Sequence, residues 1–399
     1  MAADTPAAPT NSTVPDEPSR TWVVILAGGV GTRFWPASIP QRPKQLLPLG
    51  ETGKPLVAET VERALRLAPR ERLRILTGEG LRDPILRALP DLSPEAIWTE
   101  PRARGTGPAL LWAAHRIALE DPGATMVSLH SDHVVGPEEA FAETLQDAVA
   151  LAAETGLLFT VAAAPDRPET GYGYIRPGTP VEGTTANGGP HAFRVARFQE
   201  KPDEATARRY VEEGHLWNTG IFVWRTDTFL QEVRDVAPEV ARSLEGLPPG
   251  AVSYEAARAF FRQVPAISVD HAVLERSNRV AAVRAGFRWD DVGSWGALAR
   301  TREADDRGNV AEGPAHVVES SGNIAYSGDG RPVVLFGVEG LVVVRTPEAT
   351  LVTTRERASE LKRLVDALPD ELRAPPARDD GATPSKSSRT AAVQEGEGP

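Results

Sequence analysis

Val23-Val24-Ile25-Leu26-Ala27-Gly28-Gly29-Val30-Gly31-Thr32-Arg33 decides the fold, and Pro43-Lys44-Gln45 follows it closely along the chain. Four apolar residues that run directly into glycines are typical of a strand buried on both faces of a parallel sheet. Ligands bind at the carboxyl ends of such strands. The glycines let backbone N–H groups approach phosphate oxygens, and Arg33 and Lys44 supply positive charge. The stretch therefore predicts a triphosphate-binding turn in an α/β protein.

Two commoner glycine loops do not fit this stretch. A dinucleotide-binding fingerprint would continue Gly29-x-Gly31 with a third glycine, but the chain has Phe34 at that position. A phosphate loop of the NTPase type needs a glycine, four residues and then Gly-Lys-Ser or Gly-Lys-Thr, and the stretch lacks that pattern. A plain strand-to-helix turn with incidental charges is disfavoured by the basic residues and prolines nearby.

Composition narrows the class of protein. The chain has 399 residues, of which 41% are hydrophobic, so it is long enough for two domains with a real core. Its formal net charge of -11 argues against nucleic acid or an anionic membrane as the main partner. No apolar run approaches the ~20 residues that a membrane-spanning helix needs. Cysteine is absent, which excludes disulfides and thiolate metal sites. We expect a cytoplasmic protein that binds neither membrane nor nucleic acid.

The order of segments predicts two structured domains. In residues 21–306, short apolar runs alternate with amphipathic helical segments, which indicates an α/β domain with a Rossmann-like, mostly parallel twisted sheet. A Gly-, Pro- and aromatic-rich segment at 165–200 suits a β-ribbon or a loop lid. Residues 307–373 carry short β-like runs and a closing helix, which indicates a small β-rich domain. Residues 1–20 and 374–399 are poor in core-forming residues, and we expect both to be disordered.

Two acidic motifs are candidates for metal binding. Asp132 directly follows the apolar run 125–129, so its carboxylate should face the crevice at the strand end and suit Mg²⁺, which prefers hard oxygen ligands. The alternative is a helix cap or an ion pair for Asp132, and we expect a structural role for His133. Asp290 and Asp291 lie between tryptophans, so one can complete a metal site while the other fixes the turn. The start of a helix explains this second motif equally well.

Two further motifs are candidates for ligand contact. In Gln199-Glu200-Lys201-Pro202, the lysine can hold a phosphate monoester while the glutamate accepts sugar hydroxyls. Trp217-Asn218-Thr219-Gly220 offers polar groups of the kind that read a sugar. A surface ion pair and a turn are the alternative interpretations of these two motifs.

Together the motifs resemble those of the nucleotide-diphospho-sugar pyrophosphorylases, and in particular their mannose-1-phosphate guanylyltransferase (GDP-mannose pyrophosphorylase) branch. The resemblance spans roughly residues 21 to 367. The shared motifs are the glycine loop with Pro43-Lys44-Gln45, Ser131-Asp132-His133, Glu200-Lys201-Pro202, Asn218-Thr219-Gly220, Val269-Asp270-His271-Ala272-Val273-Leu274-Glu275, Asp291-Val292-Gly293-Ser294-Trp295 and Ala349-Thr350-Leu351-Val352.

The resemblance implies transfer of a guanylyl group from GTP to α-D-mannose 1-phosphate, which gives GDP-mannose and pyrophosphate. The sugar phosphate is already anionic, so the reaction needs positioning and charge neutralisation rather than a protein nucleophile. Arg33, Lys44 and Asp132 are then the catalytic residues, with Arg33 and Lys44 at the β- and γ-phosphates. Asp132 and Asp291 are the implied ligands of a Mg²⁺ cofactor. The implied nucleotide-binding residues are Ala27, Gly28, Gly29, Gly31, Thr32, Glu100, Thr106 and Pro108, and the implied sugar-phosphate-binding residues are Gly173, Glu200, Lys201, Asn218 and Thr219.

One segment departs from the family pattern. Where relatives carry Arg, then Asn or Asp, Thr, Ala and Pro, this chain has glycines at positions 105 and 107. These glycines remove side-chain contacts that help to define the base or the ribose. Glu100 can accept hydrogen bonds from the N1–H and the amine of guanine, but it can also accept from the amine of cytosine. The sequence therefore favours guanine without excluding other bases.

Other functions stay open. A related pyrophosphorylase that uses heptose or glucose 1-phosphate fits the motifs, and so does a regulatory homologue that binds a nucleotide sugar without turnover. The joint presence of Arg33, Lys44, Asp132 and Asp291 disfavours the non-catalytic alternative. The chain ends without the isomerase domain of fused relatives, so we expect a single activity. The apolar run 333–336 can make a homodimer contact or can pack on its own catalytic domain.

Overall fold

The computed structural model describes residues 20–375 apart from residues 30, 183, 187 and 188, so the predicted arm and tail lie almost wholly outside the described residues. The strands are β1 (Thr21–Leu26), β2 (Leu73–Gly78), β3 (Ile97–Glu100), β4 (Thr125–His130), β5 (Val134–Gly136), β6 (Leu158–Ala163), β7 (Gly173–Pro180), β8 (Thr185–Ala186), β9 (Gly189–Pro190), β10 (Ala192–Gln199), β11 (Leu216–Arg225), β12 (Val280–Arg284), β13 (Arg288–Asp290), β14 (Val310–Glu312), β15 (Ala315–Val318), β16 (Ile324–Ser327), β17 (Val333–Phe336), β18 (Leu341–Arg345) and β19 (Thr350–Thr354).

The α-helices flank the sheets. They are α1 (Leu56–Ala64), α2 (Arg82–Ala88), α3 (Thr106–Glu120), α4 (Glu138–Thr155), α5 (Glu204–Glu212), α6 (Thr226–Val236), α7 (Pro238–Glu245), α8 (Tyr254–Gln263), α9 (Trp295–Thr301), α10 (Leu361–Ala367) and α11 (Asp370–Arg373). Within the described part of the chain, none of these helices combines the length and the apolar composition that crossing a membrane requires.

A nine-stranded sheet, in the order β3-β2-β1-β4-β11-β6-β12-β10-β7, organises the first domain. Strands β3, β2, β1 and β4 are parallel neighbours, and β12 is parallel to β6. Strands β11 and β10 run in the opposite direction to the others. The sheet is therefore mixed but mostly parallel, which confirms the predicted fold class.

Strand β1 is buried on both of its faces, as its apolar run predicts. Val24 and Leu26 belong to a hydrophobic core on one face of the sheet, together with residues of α3 and α6. Val23 and Ile25 belong to a second core on the opposite face, together with residues of α1 and α4. Alternation of side chains along a strand accounts for this division. The glycine loop that follows β1 thus starts from a rigid support.

The segment at 165–200 forms part of the main sheet instead of a separate lid. Strands β7 and β10 pair antiparallel, β10 also pairs with β12, and β7 also pairs with β11. Tyr174 and Ile175 are 1% and 0% exposed, and Phe198 is 9% exposed, so the apolar side chains of this segment help to form the core. Burial of these side chains explains why the lid interpretation is wrong for β7 and β10.

The second domain consists of two stacks of parallel strands. One stack contains β14, β16 and β18, with β19 added antiparallel, and the other contains β15 and β17. Buried asparagines support the turns: the side-chain oxygen Oδ1 of Asn309 accepts from the backbone N–H of Asn323, and Oδ1 of Asn323 accepts from the backbone N–H of Leu341. These bonds satisfy backbone groups that stacked turns would otherwise leave unpaired. The β-rich prediction for this region is therefore confirmed.

The second domain packs on the segments that carry the site. Phe34 contacts Trp295 edge to face at a ring distance of 4.9 Å, and Trp295 lies 4.9 Å from the ring of Tyr326 on β16. All three side chains belong to one hydrophobic cluster that joins the two domains. On the outer side of the second domain, Val334 and Phe336 are 63% and 66% exposed. A homodimer contact through this run stays a prediction.

Candidate active site

The candidate site lies at the carboxyl ends of β1 and β4. These strands are parallel neighbours in which Leu26 pairs with His130, so the turns that follow them meet at one edge of the sheet. The first turn is the glycine loop, and the second carries Asp132. Strand β13 ends just before Asp291 and brings this third segment to the same place, because the Lys44 ammonium contacts both Asp132 and the backbone of Asp291. The structure thus brings together three of the predicted site residues.

Lys44 is at the centre of this group. Its side chain is 7% exposed, and its Nζ donates to Asp132 Oδ2 at 2.9 Å and to the backbone oxygen of Asp291 at 2.5 Å. Burial would raise the pKa of Asp132, but attraction to Lys44 and two neighbouring histidines outweighs burial and lowers the pKa to about 2. Asp132 is therefore ionised near neutral pH. A lysine at this point is suited to neutralise negative charge next to a carboxylate.

The two adjacent aspartates have different partners. Asp290 is buried, pairs with Arg300 at 2.9 Å and accepts from the backbone N–H of Val292, so it fixes the turn. Asp291 accepts from the hydroxyl of Tyr172 at 2.6 Å through Oδ1, and burial raises its pKa. Within the described residues, no hydrogen bond engages the second carboxylate oxygen of Asp291 or of Asp132. Two free carboxylate oxygens beside the glycine loop are of the kind that a hard cation such as Mg²⁺ prefers, and the Mg²⁺ site stays a prediction.

The neighbouring histidines pack against each other. His130 and His133 stack at a ring distance of 4.6 Å, and Trp289 Nε1 donates to His133 Nδ1 at 3.1 Å. Burial lowers the pKa of both rings, which favours the neutral form. With Asp132 they place one ligand atom each within 4.8 Å of one another. Because His133 Nδ1 already accepts a hydrogen bond, this geometry is the one expected of a structural histidine.

The glycine loop is held by side chains from two other segments. Gln45 Nε2 donates to the backbone oxygens of Ala27 and Gly29, at 3.2 and 3.4 Å, and the Thr77 hydroxyl donates to that of Ala27 at 2.7 Å. Gly31 has a φ of 67°, and a side chain there would approach Lys44 Cβ to 2.5 Å. Only glycine fits this turn without displacing the lysine.

Arg33 and Thr32 lie on a short 3₁₀ turn after the glycines. Arg33 is exposed and makes no hydrogen bond or ion pair with any described residue, so its guanidinium is free to reach a ligand. The predicted role of Arg33 at the β- and γ-phosphates stays a prediction.

A cavity of about 490 Å³ opens beside the loop. Its lining includes four of the predicted nucleotide-binding residues, Gly28, Gly29, Glu100 and Thr106, and also Gly105 and His130. Burial raises the pKa of Glu100 to about 7. A half-buried carboxylate in an otherwise largely apolar pocket is suited to recognise the edge of a base. Ala27 and Pro108 are buried beneath the surface and do not line the cavity.

The unusual glycines at 105 and 107 have a structural explanation. A side chain on Gly105 or Gly107 would approach the backbone oxygen of Ile267 to 2.7 or 2.9 Å. The backbone N–H of Gly107 donates to that same oxygen at 3.1 Å, and the Thr106 hydroxyl accepts from the N–H of Val269 at 3.0 Å. The backbone of Ile267 therefore lies where a side chain at position 105 or 107 would have to go. These glycines mark a close backbone contact beside the cavity, which Gly105 lines.

The predicted sugar-phosphate residues form a second group. Lys201 has a φ of 46°, and its Nζ pairs with Glu200 Oε1 at 2.7 Å while its side chain stays 64% exposed. Glu200 lies against Gly173, where an added side chain would approach Glu200 Oε2 to 2.6 Å. This close approach explains why a glycine precedes Tyr174 on β7. Lys201 is exposed enough to exchange Glu200 for a phosphate.

Asn218 and Thr219 lie at an irregular point of β11. The Thr219 side chain is buried, and its hydroxyl donates to the backbone oxygen of Val161 and accepts from the N–H of Ile221. The hydroxyl is therefore engaged by the backbone on both sides, and the predicted sugar-phosphate contact of Thr219 stays a prediction. Asn218 Nδ2 donates to Asp270 Oδ1 at 3.0 Å.

Sequence reasoning missed two residues near the site. Tyr172 was singled out only as part of an aromatic segment, yet it holds Asp291, which lies 119 positions further along the chain. Asp270 accepts from Asn218, and burial together with the charge of Glu200 raises its pKa to about 6. No local pattern predicts such long-range pairs. The motif at 269–275 contains Asp270, however, so the resemblance already pointed to that segment.

The chain is similar to known proteins over most of its length. The Nucleotidyl transferase family matches residues 22–307, and the MannoseP isomerase/GMP-like beta-helix domain matches residues 315–368. The xanthan biosynthesis protein XanB of Xanthomonas campestris pv. campestris is 36% identical over 353 residues, which cover 86% of this chain and 72% of that protein. A mannose-1-phosphate guanylyltransferase from Salmonella muenchen is 34% identical over 362 residues, with coverage of 86% and 72%.

A solved structure extends the similarity to three dimensions. The crystal structure described as a mannose-1-phosphate geranyltransferase from Thermus thermophilus superposes with a TM-score of 0.78 at 34% identity. The match covers 87% of this chain and 98% of that chain, so it includes both domains. The chain therefore belongs to the nucleotidyl transferase family, together with the mannose-1-phosphate guanylyltransferases that it resembles along most of its length.

Proposed function

We propose that the protein transfers a guanylyl group from GTP to α-D-mannose 1-phosphate and releases pyrophosphate. The observation that carries this proposal is the buried Lys44 ammonium between Asp132 and the backbone of Asp291, beside the glycine loop. This arrangement concentrates positive charge and hard oxygen ligands where a triphosphate would bind. The names of the relatives supply the identity of the two substrates.

The residues divide the reaction between two sides of the crevice. On the nucleotide side, the N–H groups of the glycine loop and the charges of Arg33 and Lys44 hold the β- and γ-phosphates, so the charge of the leaving pyrophosphate is neutralised. Asp132 and Asp291 would hold a Mg²⁺ ion, which supplies further neutralisation of phosphate charge when bound. On the sugar side, Lys201 holds the phosphate of the incoming monoester, and Glu200 and Asn218 accept hydrogen bonds from sugar hydroxyls or donate to them. A phosphate oxygen of mannose 1-phosphate attacks the α-phosphorus of GTP as pyrophosphate leaves, so the reaction needs no protein nucleophile.

Base recognition is assigned to Glu100. An ionised Glu100 at the cavity wall can accept from both the N1–H and the exocyclic amine of guanine. Adenine presents an acceptor at N1, so it loses one of these two bonds.

A pyrophosphate-release matrix tests substrate choice. GTP, ATP, dTTP, UTP and CTP are each combined with mannose, glucose and heptose 1-phosphates at saturating Mg²⁺. We expect the highest kcat/KM for GTP with mannose 1-phosphate. A preference for dTTP with glucose 1-phosphate would replace the proposed substrates and keep the reaction type. Nucleotide binding without pyrophosphate release from any pair would favour the non-catalytic alternative.

Asp132→Asn tests the role of the metal carboxylates. The variant keeps the shape of the side chain but loses its charge, so it should bind GTP and release little pyrophosphate. Asp290→Asn is a matched comparison, because Asp290 pairs with Arg300 instead of facing the site. Near-normal turnover of Asp132→Asn at saturating Mg²⁺ would remove Asp132 from the proposed role.

A further inference from the structure

The Tyr172 side chain contacts the Asp291 carboxylate. The side chain is 7% exposed, and its hydroxyl donates to Asp291 Oδ1 at 2.6 Å. The ring packs edge to face against Trp217 at 5.2 Å and against Trp289 at 4.9 Å. A bond of this length between a hydroxyl and a carboxylate is in the range of charge-assisted hydrogen bonds. The aromatic contacts leave the hydroxyl little freedom to point elsewhere.

Arg167 determines the direction of that hydrogen bond. Its Nη2 donates to the Tyr172 hydroxyl oxygen at 3.3 Å, and its guanidinium lies 4.8 Å from the Trp217 ring centre and 3.7 Å from Asp290 Oδ2. A tyrosine hydroxyl has one hydrogen. Because the oxygen accepts from Arg167, the hydrogen is directed to Asp291. One oxygen of Asp291 is thereby held, and the other is left for a ligand.

The backbone of Tyr172 contacts the opposite side of the crevice. Its carbonyl oxygen accepts from the N–H of Lys201, the residue that has a φ of 46°, at 3.2 Å. One residue thus contacts the proposed metal carboxylate through its side chain and the proposed sugar-phosphate lysine through its backbone. Phenylalanine at this position would remove the first contact and keep the second.

We propose that Tyr172 is a positioning residue that orients the Asp291 carboxylate for the divalent cation. The inference rests on the proposed function, because it takes Asp291 as a metal ligand. Hydrogen bonds from such supporting groups orient carboxylate ligands, and their loss commonly weakens metal affinity by about 10- to 100-fold. Tyr172 itself contacts neither the cation nor the reacting atoms in this account.

The test compares Tyr172→Phe with Tyr174→Phe. Tyr174 is close to Tyr172 in the chain and is also buried, but its hydroxyl bonds only to the backbone of Glu169 among the described residues. Mn²⁺ is titrated into each protein, and free Mn²⁺ is followed by electron paramagnetic resonance in the absence of nucleotide and sugar phosphate. We expect the dissociation constant for Mn²⁺ to rise at least about tenfold in Tyr172→Phe and by less than about twofold in Tyr174→Phe. Thermal unfolding of both variants checks that they fold.

A double-mutant cycle with Asp291→Asn separates positioning from a general structural effect. If Tyr172 acts through Asp291, Tyr172→Phe should not weaken Mn²⁺ binding further in the Asp291→Asn background. An unchanged dissociation constant in Tyr172→Phe would overturn the proposal, and so would an equal loss in both backgrounds. Absence of Mn²⁺ binding to the wild-type protein would also overturn it.

Turnover reports separately on the proposed function. In Tyr172→Phe we expect a higher Mg²⁺ concentration for half-maximal pyrophosphate release. We also expect a KM for mannose 1-phosphate close to that of wild type, because the backbone contact to Lys201 remains. If the wild-type protein binds Mn²⁺ but releases no pyrophosphate from any substrate pair, the proposed function fails while the cycle still decides the role of Tyr172.

Discussion

Replacing Glu100 by glutamine should stabilise the folded protein at alkaline pH while it weakens binding of the nucleotide. Burial raises the pKa of Glu100 from an ordinary 4.5 to about 7. Between these two pH values the folded state binds more protons than the unfolded state, so stability falls as the pH rises. The difference amounts to about 3 kcal/mol above pH 7 and vanishes below pH 4.5. Glutamine is neutral throughout and avoids this cost.

Urea unfolding at two pH values measures the effect. At pH 5 the variant should be more stable than wild type by less than about 1 kcal/mol, and at pH 8 by about 3 kcal/mol. Glu154→Gln, at an exposed position of α4, is the matched control for the loss of a carboxylate. An equal stability difference for Glu100→Gln at both pH values would refute the reasoning that burial sets the pKa of Glu100.

The affinity for GTP should rise with pH, whereas the stability of the wild-type protein falls. If Glu100 must be ionised to accept from guanine, affinity for GTP should fall by nearly tenfold from pH 8 to pH 6 in the wild-type protein. Calorimetry measures the affinity of the wild-type protein and of Glu100→Gln for GTP at both pH values. Because GTP itself changes protonation in both experiments, the pH dependence that remains in the variant is the baseline. A variant that binds GTP as tightly as wild type at pH 8 would remove Glu100 from base recognition.

Three further substitutions test other parts of the site. Lys44→Met should lower the rate of pyrophosphate release at least about a hundredfold, because it removes charge from the phosphates, and single-turnover kinetics would show whether chemistry is affected. Gly107→Ala should lower the free energy of unfolding by about 1–3 kcal/mol in urea titrations, because the added methyl approaches the backbone oxygen of Ile267 to 2.9 Å. Trp295→Ala should cost about 3–5 kcal/mol in the same titrations and also raise the KM for GTP, because Trp295 supports Phe34 next to Arg33.

The local elements of the fold follow from patterns that are visible in the sequence. The run 23–26 has the composition of a doubly buried strand, and the structure places its side chains in two opposite cores. The sequence predicts Asp132 at the carboxyl end of a strand, and it follows β4 with only Ser131 between them. Apolar periodicity and strand order are short-range properties, so these inferences needed no knowledge of distant contacts.

Distant contacts account for what the sequence did not predict. The polar motif predicts that Thr219 contacts the sugar phosphate, but it does not reveal that the Thr219 hydroxyl donates to the backbone oxygen of Val161, 58 positions away. The two glycines at 105 and 107 looked like lost ligand contacts, but they admit the backbone of Ile267, which lies far from them along the chain. Neither property can be read from residue types alone, because each depends on which segment lies opposite.

The carboxyl-terminal domain is part of the support of the site. Phe34 follows Arg33 directly, and Trp295 closes the motif that begins with Asp291. The two segments that carry the proposed phosphate and metal residues therefore end on side chains that touch each other. Trp295 in turn packs on Tyr326 of the second domain. Because this shared cluster is buried, the glycine loop cannot move away from Asp291 without opening contacts between the domains. Preorganisation of the charges at the proposed triphosphate site therefore depends on a domain that contributes none of the predicted catalytic residues.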